Sequence, residues 1–395
     1  MSNYKELIDK RVSEELGTFV DMALDIAGNP ELGGTEFRTS AMLVDALRSR
    51  GWNVEYPYTG LPTAFNAVKK NGAGPVVSFM AEYDALPEIG HACGHNLNGV
   101  MSLLAGVALA DAVLDKVPGE IRVVGTPAEE TNGAKVEMSE KGVFDGTDFA
   151  MMAHASSGMS SPVYRSLALV PVEFNFKGLA SHAASSPWDG LNALNAIQLL
   201  FHALDMLRQH VRPETRIHGV ITKGGNAPNI VPDSTQAQFY FRSPSRSYLE
   251  TVLEKAYDCA RGAALCTGTE VSWRHHETSF HEILPNPEVE KQMASVLDEV
   301  GIHYSNNAYA GGSTDVGNVS WRCPTMHLHL SFTEKRIAMH TKEYAELAGD
   351  RNQIESGIKN GARAIARMGL IVLTNPEARG RMKDDLEQAR KSTLL

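Results

Sequence analysis

The sequence is poor in cysteine, and nothing in it pairs the few present. Four cysteines in 395 residues, Cys93, Cys259, Cys266 and Cys323, stand far apart, which fits reduced thiols and argues against a disulfide framework. No Cys-x-x-Cys occurs, so a dithiol redox centre has no seat. Neither G-x-G-x-x-G nor a P-loop is present, which leaves nucleotide chemistry without support. Apolar runs are short: VMSLLAGVALA (100–110) falls well below the ~20 residues a membrane span requires. The opening MSNYKELIDKRVSEEL is charged and amphipathic and lacks the apolar stretch of a secretory signal. Positive charge is in deficit, 37 Lys and Arg against 47 Asp and Glu, net −10. A nucleic-acid binder would need a basic stripe instead. The expectation is a cytoplasmic globular protein with neither a membrane nor a nucleic-acid partner.

What is there begins with size. A chain of 395 residues exceeds what one hydrophobic core usually organises, so two domains are expected. Residues 3–28 read as an amphipathic helix, and TSAMLVDALRSRG (39–51) as a second one, opened by Thr39 or Ser40. The pattern then becomes strand, loop, helix. PVVSFMA (75–81), IRVVGT (121–126) and FAMMA (149–153) are short apolar runs of buried strands, separated by helices at 97–115 and 134–144. Such alternation implies a largely parallel sheet with helices on its faces. Near residue 167 the character changes. Strand LALVPVEFNFKG, helix 191–210, strands 216–225 and 235–243, helix 247–266 and strand 269–277 follow in the order β-α-β-β-α-β. That is the ferredoxin-like order of a complete small domain. The fold class is therefore α/β. Residues 1–166 and 281–395 form a mostly parallel-sheet domain, with TMHLHLS (325–331) its return strand, and 167–280 form the insertion.

Four segments of the sheet converge on one chemistry. The strand 75–81 runs into Glu82-Tyr83-Asp84 and then the loop HACGHN (91–96), strand 121–126 into Glu129-Glu130, strand 149–153 into His154, and the return strand, after a short loop, into His340. In open parallel sheets, ligands bind at the carboxyl ends of the strands. Cysteine thiolate, imidazole and carboxylate together suit zinc-like ions, and Gly94 lets Cys93 and His95 turn to one side of a tight loop. One of the two adjacent glutamates can bind metal while the other stays free as a base. Two ions ~3.5–4 Å apart can share an activated water. A Cys93 nucleophile with a histidine base is the competing chemistry, but it leaves Glu129, Glu130, His154 and His340 without roles. The remaining histidines, including His275-His276, His327 and His329, read as surface or strand-face residues.

The segments AEYDALPEIGHACGHN, GTPAEE, GLASHAASSPWDGLNAL, NIVPD and GSTDVGNVSWRCP resemble the di-metal aminoacylase/carboxypeptidase family of clan MH peptidases. They are most similar to its p-aminobenzoyl-glutamate hydrolase and β-alanyl-lysine dipeptidase-like branch. The resemblance runs from about residue 29 to residue 346 and implies a zinc-exopeptidase-like fold hydrolysing a small amide: an N-acyl amino acid, an aryl-amide glutamate or a dipeptide. It implies two divalent ions per protomer, zinc first and manganese or cobalt as alternatives. Cys93, His95, Glu130, His154 and His340 would be the metal ligands, Glu129 the general base, and Asp84 a carboxylate orienting a ligand. The inserted domain would be a lid and homodimer interface. His182 would reach the partner's site to hold the oxyanion, and Asn229 and Arg242 would contact substrate. Gly312, Ser313, Thr314 and Asp315 would close over the substrate. Two departures stand out: Glu82 occupies the place of a histidine ligand common in the wider family, and Asn96 stands where many members carry aspartate. A thiol amidase using Cys93 and a non-catalytic N-acyl amino acid binder remain the alternatives.

Overall fold

A computed structural model describes residues 2–306 and 311–393. The chain forms two compact units, one built from residues up to Arg165 together with Ile283–Thr393, the other from Ser166–Glu282.

In the first unit, α1 (Ser2–Gly28) and α2 (Phe37–Arg48) precede β1 (Asn53–Glu55), β2 (Phe65–Asn71) and β3 (Val76–Ala81). Then come α3 (His95–Val113), β4 (Gly119–Gly125), α4 (Ala134–Glu140) and β5 (Phe149–Ser156). The helix α2 starts ahead of Thr39 and Ser40, both of which are buried inside it. Its opening N–H groups are met from outside: the Glu31 carboxylate accepts from Arg38 at 2.9 Å and Thr39 at 2.7 Å. The helix α3 is apolar nearly all round, the mark of a core helix. By length and composition it could cross a membrane, but 94% of that window is buried inside the protein.

The second unit comprises β6 (Ala168–Lys177), α5 (Ala193–Leu207), β7 (Arg216–Lys223), β8 (Ser234–Ser243), α6 (Arg246–Thr267) and β9 (Glu270–His275). Its sheet order is β7-β8-β6-β9, antiparallel throughout, which is the ferredoxin-like arrangement. The strand β8 alternates strictly between buried and half-buried residues. Ala237, Phe239 and Phe241 join α5 and α6 in the core, while Gln236, Gln238, Tyr240 and Arg242 line the polar face. Asn192 caps α5, its side-chain oxygen accepting from Leu194 and Asn195.

The first unit resumes with α7 (Pro287–Val300), α8 (Val316–Ser320), β10 (Thr325–Ser331), α9 (Lys342–Ala348), α10 (Arg351–Thr374) and α11 (Pro376–Thr393). Its sheet order is β1-β2-β4-β3-β5-β10. The strands β4, β3, β5 and β10 are parallel, and β2 and β1 add an antiparallel edge. Neither edge strand is evident in the sequence: FNAVKKN buries only Phe65 and Ala67, too short an alternation to stand out. One face of the sheet packs against α1, α3 and α10 in a single large core. The other packs Met80, Val124, Ala150 and Met152 against residues of α4 and α8. Four parallel strands thus end along one edge.

Candidate metal centre

The HACGHN loop turns on Gly94, which sits at φ +81° as the cap of α3. A Cβ there would stand 2.8 Å from the Ala155 Cβ and 3.3 Å from the Tyr344 hydroxyl, so backbone and space both require glycine. Cys93 and His95 flank it, both buried. Asp84 accepts from His95 Nδ1 through its carboxylate at 2.9 Å and its carbonyl at 3.1 Å. The proton therefore sits on Nδ1 and the lone pair on Nε2. His154 is fixed the same way, donating from Nδ1 to the Ala155 carbonyl at 2.8 Å while its Nε2 lies 3.6 Å from Cys93 Sγ. It lies within β5, which continues to Ser156, and not at the strand's end.

Glu129 and Glu130 leave β4 through Ala128, whose φ of +58° is unusual for a residue with a side chain. The buried Glu36 carboxylate accounts for it, accepting from the Ala128 N–H at 2.8 Å and the Thr63 hydroxyl at 2.9 Å. The second oxygen of Asp84 accepts from the Glu130 N–H at 2.9 Å, so one aspartate sets both His95 and the glutamate loop. His340, also in a left-handed conformation at φ +63°, is tied to the cysteine loop by its N–H to Ala92 O at 2.9 Å.

These side chains make one contiguous centre. The ligand atoms of Cys93, His95 and His154 lie within 4.8 Å of one another, as do those of Cys93, Glu130 and His340, and those of His95, Glu129 and Glu130. Two atoms inside it are buried without a hydrogen-bond partner: His95 Nε2 and Glu130 Oε1, 4.0 Å apart. His340 Nε2 stands 3.4 Å from that same oxygen. Both are Lewis bases set among metal-ligating residue types, and a bound cation would satisfy them. The donor set suits zinc or a similar divalent ion. Burial pushes the Cys93 thiol pKa up, away from the thiolate a free nucleophile needs. Glu129 is pushed well up, first by burial and then by the carboxylates of Glu82, Asp315 and Glu130.

Asn96 points away from this centre. Its amide donates to Ala348 O at 2.8 Å and Ala23 O at 3.2 Å, a role for which aspartate has no proton. His91 is buried but belongs to none of the metal-capable groups among the described residues. His327 is a strand-face residue of β10 and is buried, 2% exposed. It is edge-on to His154 with ring centroids 5.3 Å apart. His329 stacks on Tyr164 at 4.2 Å.

The remaining candidates divide between the units. Gly312 donates its N–H to the Tyr164 hydroxyl at 2.8 Å. Thr314 is buried, its hydroxyl accepting from the Val316 N–H at 3.3 Å; Ser313 is half-buried between them. In the second unit, His182 is exposed and its Nδ1 accepts from the N–H groups of Ala184 at 3.2 Å and Ser185 at 3.1 Å. Nε2 therefore carries the proton. Asn229 is exposed and holds the His182 turn through its carbonyl, which accepts from Ala183 at 3.0 Å. Arg242 lies on the polar sheet face, 5.5 Å from the Tyr240 ring. Nothing in the sequence singles out Asn98, Glu36 or Lys135. Each is a polar residue in a helix or loop that looks solvated until the packing is known.

A model of peptidase family M20/M25/M40 matches residues 78–368. The Xaa-Arg dipeptidase of Mus musculus is 35% identical over 392 residues, covering 94% of this chain and 90% of that protein. One component of the p-aminobenzoyl-glutamate hydrolase of Escherichia coli (strain K12) is 32% identical, covering 76% of this chain and 66% of that protein. Among solved structures, an aminobenzoyl-glutamate utilization protein from Klebsiella pneumoniae superposes with a TM-score of 0.68 at 20% identity, covering 91% of this chain and 98% of that one. A dinuclear metal binding peptidase from Bacillus subtilis superposes with a TM-score of 0.67 at 17% identity, covering 90% and 99%.

Proposed function

We propose a reaction from one premise: this chain belongs to peptidase family M20/M25/M40 and is a hydrolase of peptide or amide bonds. The reading is metal-dependent hydrolysis of a small dipeptide or N-acyl amino acid. The observation that carries it is the pair of orphaned buried atoms, His95 Nε2 and Glu130 Oε1, inside a cluster of thiol, imidazole and carboxylate. Cys93, His95, Glu130, His154 and His340 would hold two divalent ions, zinc by ligand type, manganese or cobalt if supply favours them. When bound, such a pair acidifies water and polarises a carbonyl.

The chain's own residues do the rest. Asp84 keeps the His95 lone pair turned inward. Glu129 takes the proton of the attacking water and returns it to the leaving amine. His182, with its proton on Nε2, donates to the developing oxyanion, and in this reading it does so across a homodimer built through the inserted unit. Asn229 would contact the substrate and Arg242 its carboxylate, and the 312–315 segment would cover it. The relatives make a dipeptide ending in a basic residue the first substrate to try, with an aryl-amide glutamate next. Four unpaired cysteines suit a cytoplasmic location.

Glu129→Gln tests the roles. Turnover should fall at least about a thousandfold while metal content, measured by mass spectrometry, stays at the wild-type level. Loss of metal in step with activity would make Glu129 a ligand and not the base. The thiol-amidase alternative has less support, since it leaves Glu129, Glu130, His154 and His340, gathered in the same centre, without roles.

A further inference from the structure

Glu82, Glu129 and Asp315 offer carboxylate oxygens within 4.8 Å of one another, a grouping that by type could also take a cation. A cation is already there. Lys135, in the first turn of α4, is fully buried, and its Nζ donates to Glu82 Oε1 and Asp315 Oδ1, each at 2.7 Å. Its backbone N–H donates to Asp315 Oδ2 at 3.0 Å, so one residue engages both oxygens of Asp315. The second oxygen of Glu82 accepts from Asn98 Nδ2 at 3.2 Å and lies 3.6 Å from His95 Nε2. Asn98 in turn accepts from the Ala155 N–H at 2.8 Å, beside His154.

A buried ion pair is weak ground for stability, because well-packed apolar residues of the same volume often do as well. Its value is in register. Glu82 directly follows β3, beside His95 Nε2, whereas Asp315 ends the 311–315 segment, 180 residues from Lys135 in the chain. That segment is anchored at its other end by Gly312 on Tyr164. We propose that Lys135 is a positioning residue for substrate: its ammonium locks the 311–315 segment to Glu82, and so to the floor of the metal centre. The inference rests on the proposed function, in which that segment covers the substrate.

The test uses Lys135→Met, Lys135→Arg, the near-isosteric Asp315→Asn, and the Lys135→Met/Asp315→Asn double variant, all metal-loaded. Each is assayed with a dipeptide ending in arginine. Lys135→Met and Asp315→Asn should each raise KM about tenfold or more with a smaller change in kcat, and Lys135→Arg should recover most of the loss. The double variant should be no worse than the worse single one, because both remove the same link. In the Glu129→Gln background, calorimetry should show the dipeptide Kd weakened by a similar factor when Lys135→Met is added. Wild-type metal content should persist in all of them. Unchanged KM and Kd, multiplied losses in the double variant, or metal loss accounting for the KM change would overturn the proposal. A wild-type protein without metal-dependent hydrolysis would instead overturn the functional reading on which it rests.

Discussion

Glu36 and Ala128 show how much of this centre is decided away from its ligands. Ala128 sits at φ +58°, a conformation a non-glycine residue keeps only when neighbours impose it. The imposing group is Glu36, buried and bonded to Ala128 N–H and Thr63. Glu36→Ala should release the turn that aims Glu129. The account expects kcat to fall about tenfold or more with metal content retained, since Cys93, His95 and His154 keep their own supports. Wild-type kcat with normal folding, checked by steady-state kinetics and circular dichroism, would place the control of Glu129 elsewhere. The ligand candidates themselves are legible because residue type, spacing and strand ends point one way. Lys135 is not: AKVEMSE looks like an ordinary helix with a solvated lysine, and only its neighbours at 82 and 315 reveal a buried cation. Asn96 looks in the sequence like a lost charge near the metals, whereas the fold uses it as a donor to two backbone carbonyls.

Among elements, the helices that back the sheet are joined by charge as well as by apolar packing. Asp9 of α1 accepts from Arg363 of α10 at 2.7 Å and from Arg367 at 2.6 Å, and Arg367 also faces Glu299 of α7 at 3.5 Å. Burial alone would raise the Asp9 pKa, but the two guanidiniums outweigh it and hold it below its ordinary value. A carboxylate depressed in the folded state stabilises above its unfolded pKa, about 3.9, and loses that contribution as pH falls through the folded value. Asp9→Asn should therefore lower Tm by about 1 to 2 °C near pH 7. The gap from wild type should narrow below about pH 4. A gap independent of pH in thermal melts would remove the charge from the explanation. The central parallel strands are readable as continuous apolar runs. The antiparallel pair β1 and β2 is not, because β1 is only three residues long and β2, with two lysines, buries just Phe65 and Ala67. The start of α2 is misjudged from sequence because its opening N–H groups are met by Glu31, several residues upstream, and not by a local Thr or Ser.

For the whole molecule, the change from parallel to antiparallel patterning in the sequence falls near residue 167, and the two compact units divide at Arg165 and Glu282. The β-α-β-β-α-β order is visible mainly through β8, which keeps one polar face and alternates cleanly, whereas β6 is buried along nearly its whole length. The claim on which everything else depends is that ions held by Cys93, His95, Glu130, His154 and His340 are required for amide hydrolysis. The direct measurement is a chelation and reloading titration of the intact protein, following hydrolysis of a dipeptide ending in arginine against ions bound per chain. The account predicts that activity disappears with the metal, returns as two ions per chain are restored, and in the loaded protein resists thiol alkylation. Full activity in metal-free protein, abolished instead by alkylation of Cys93, would contradict it.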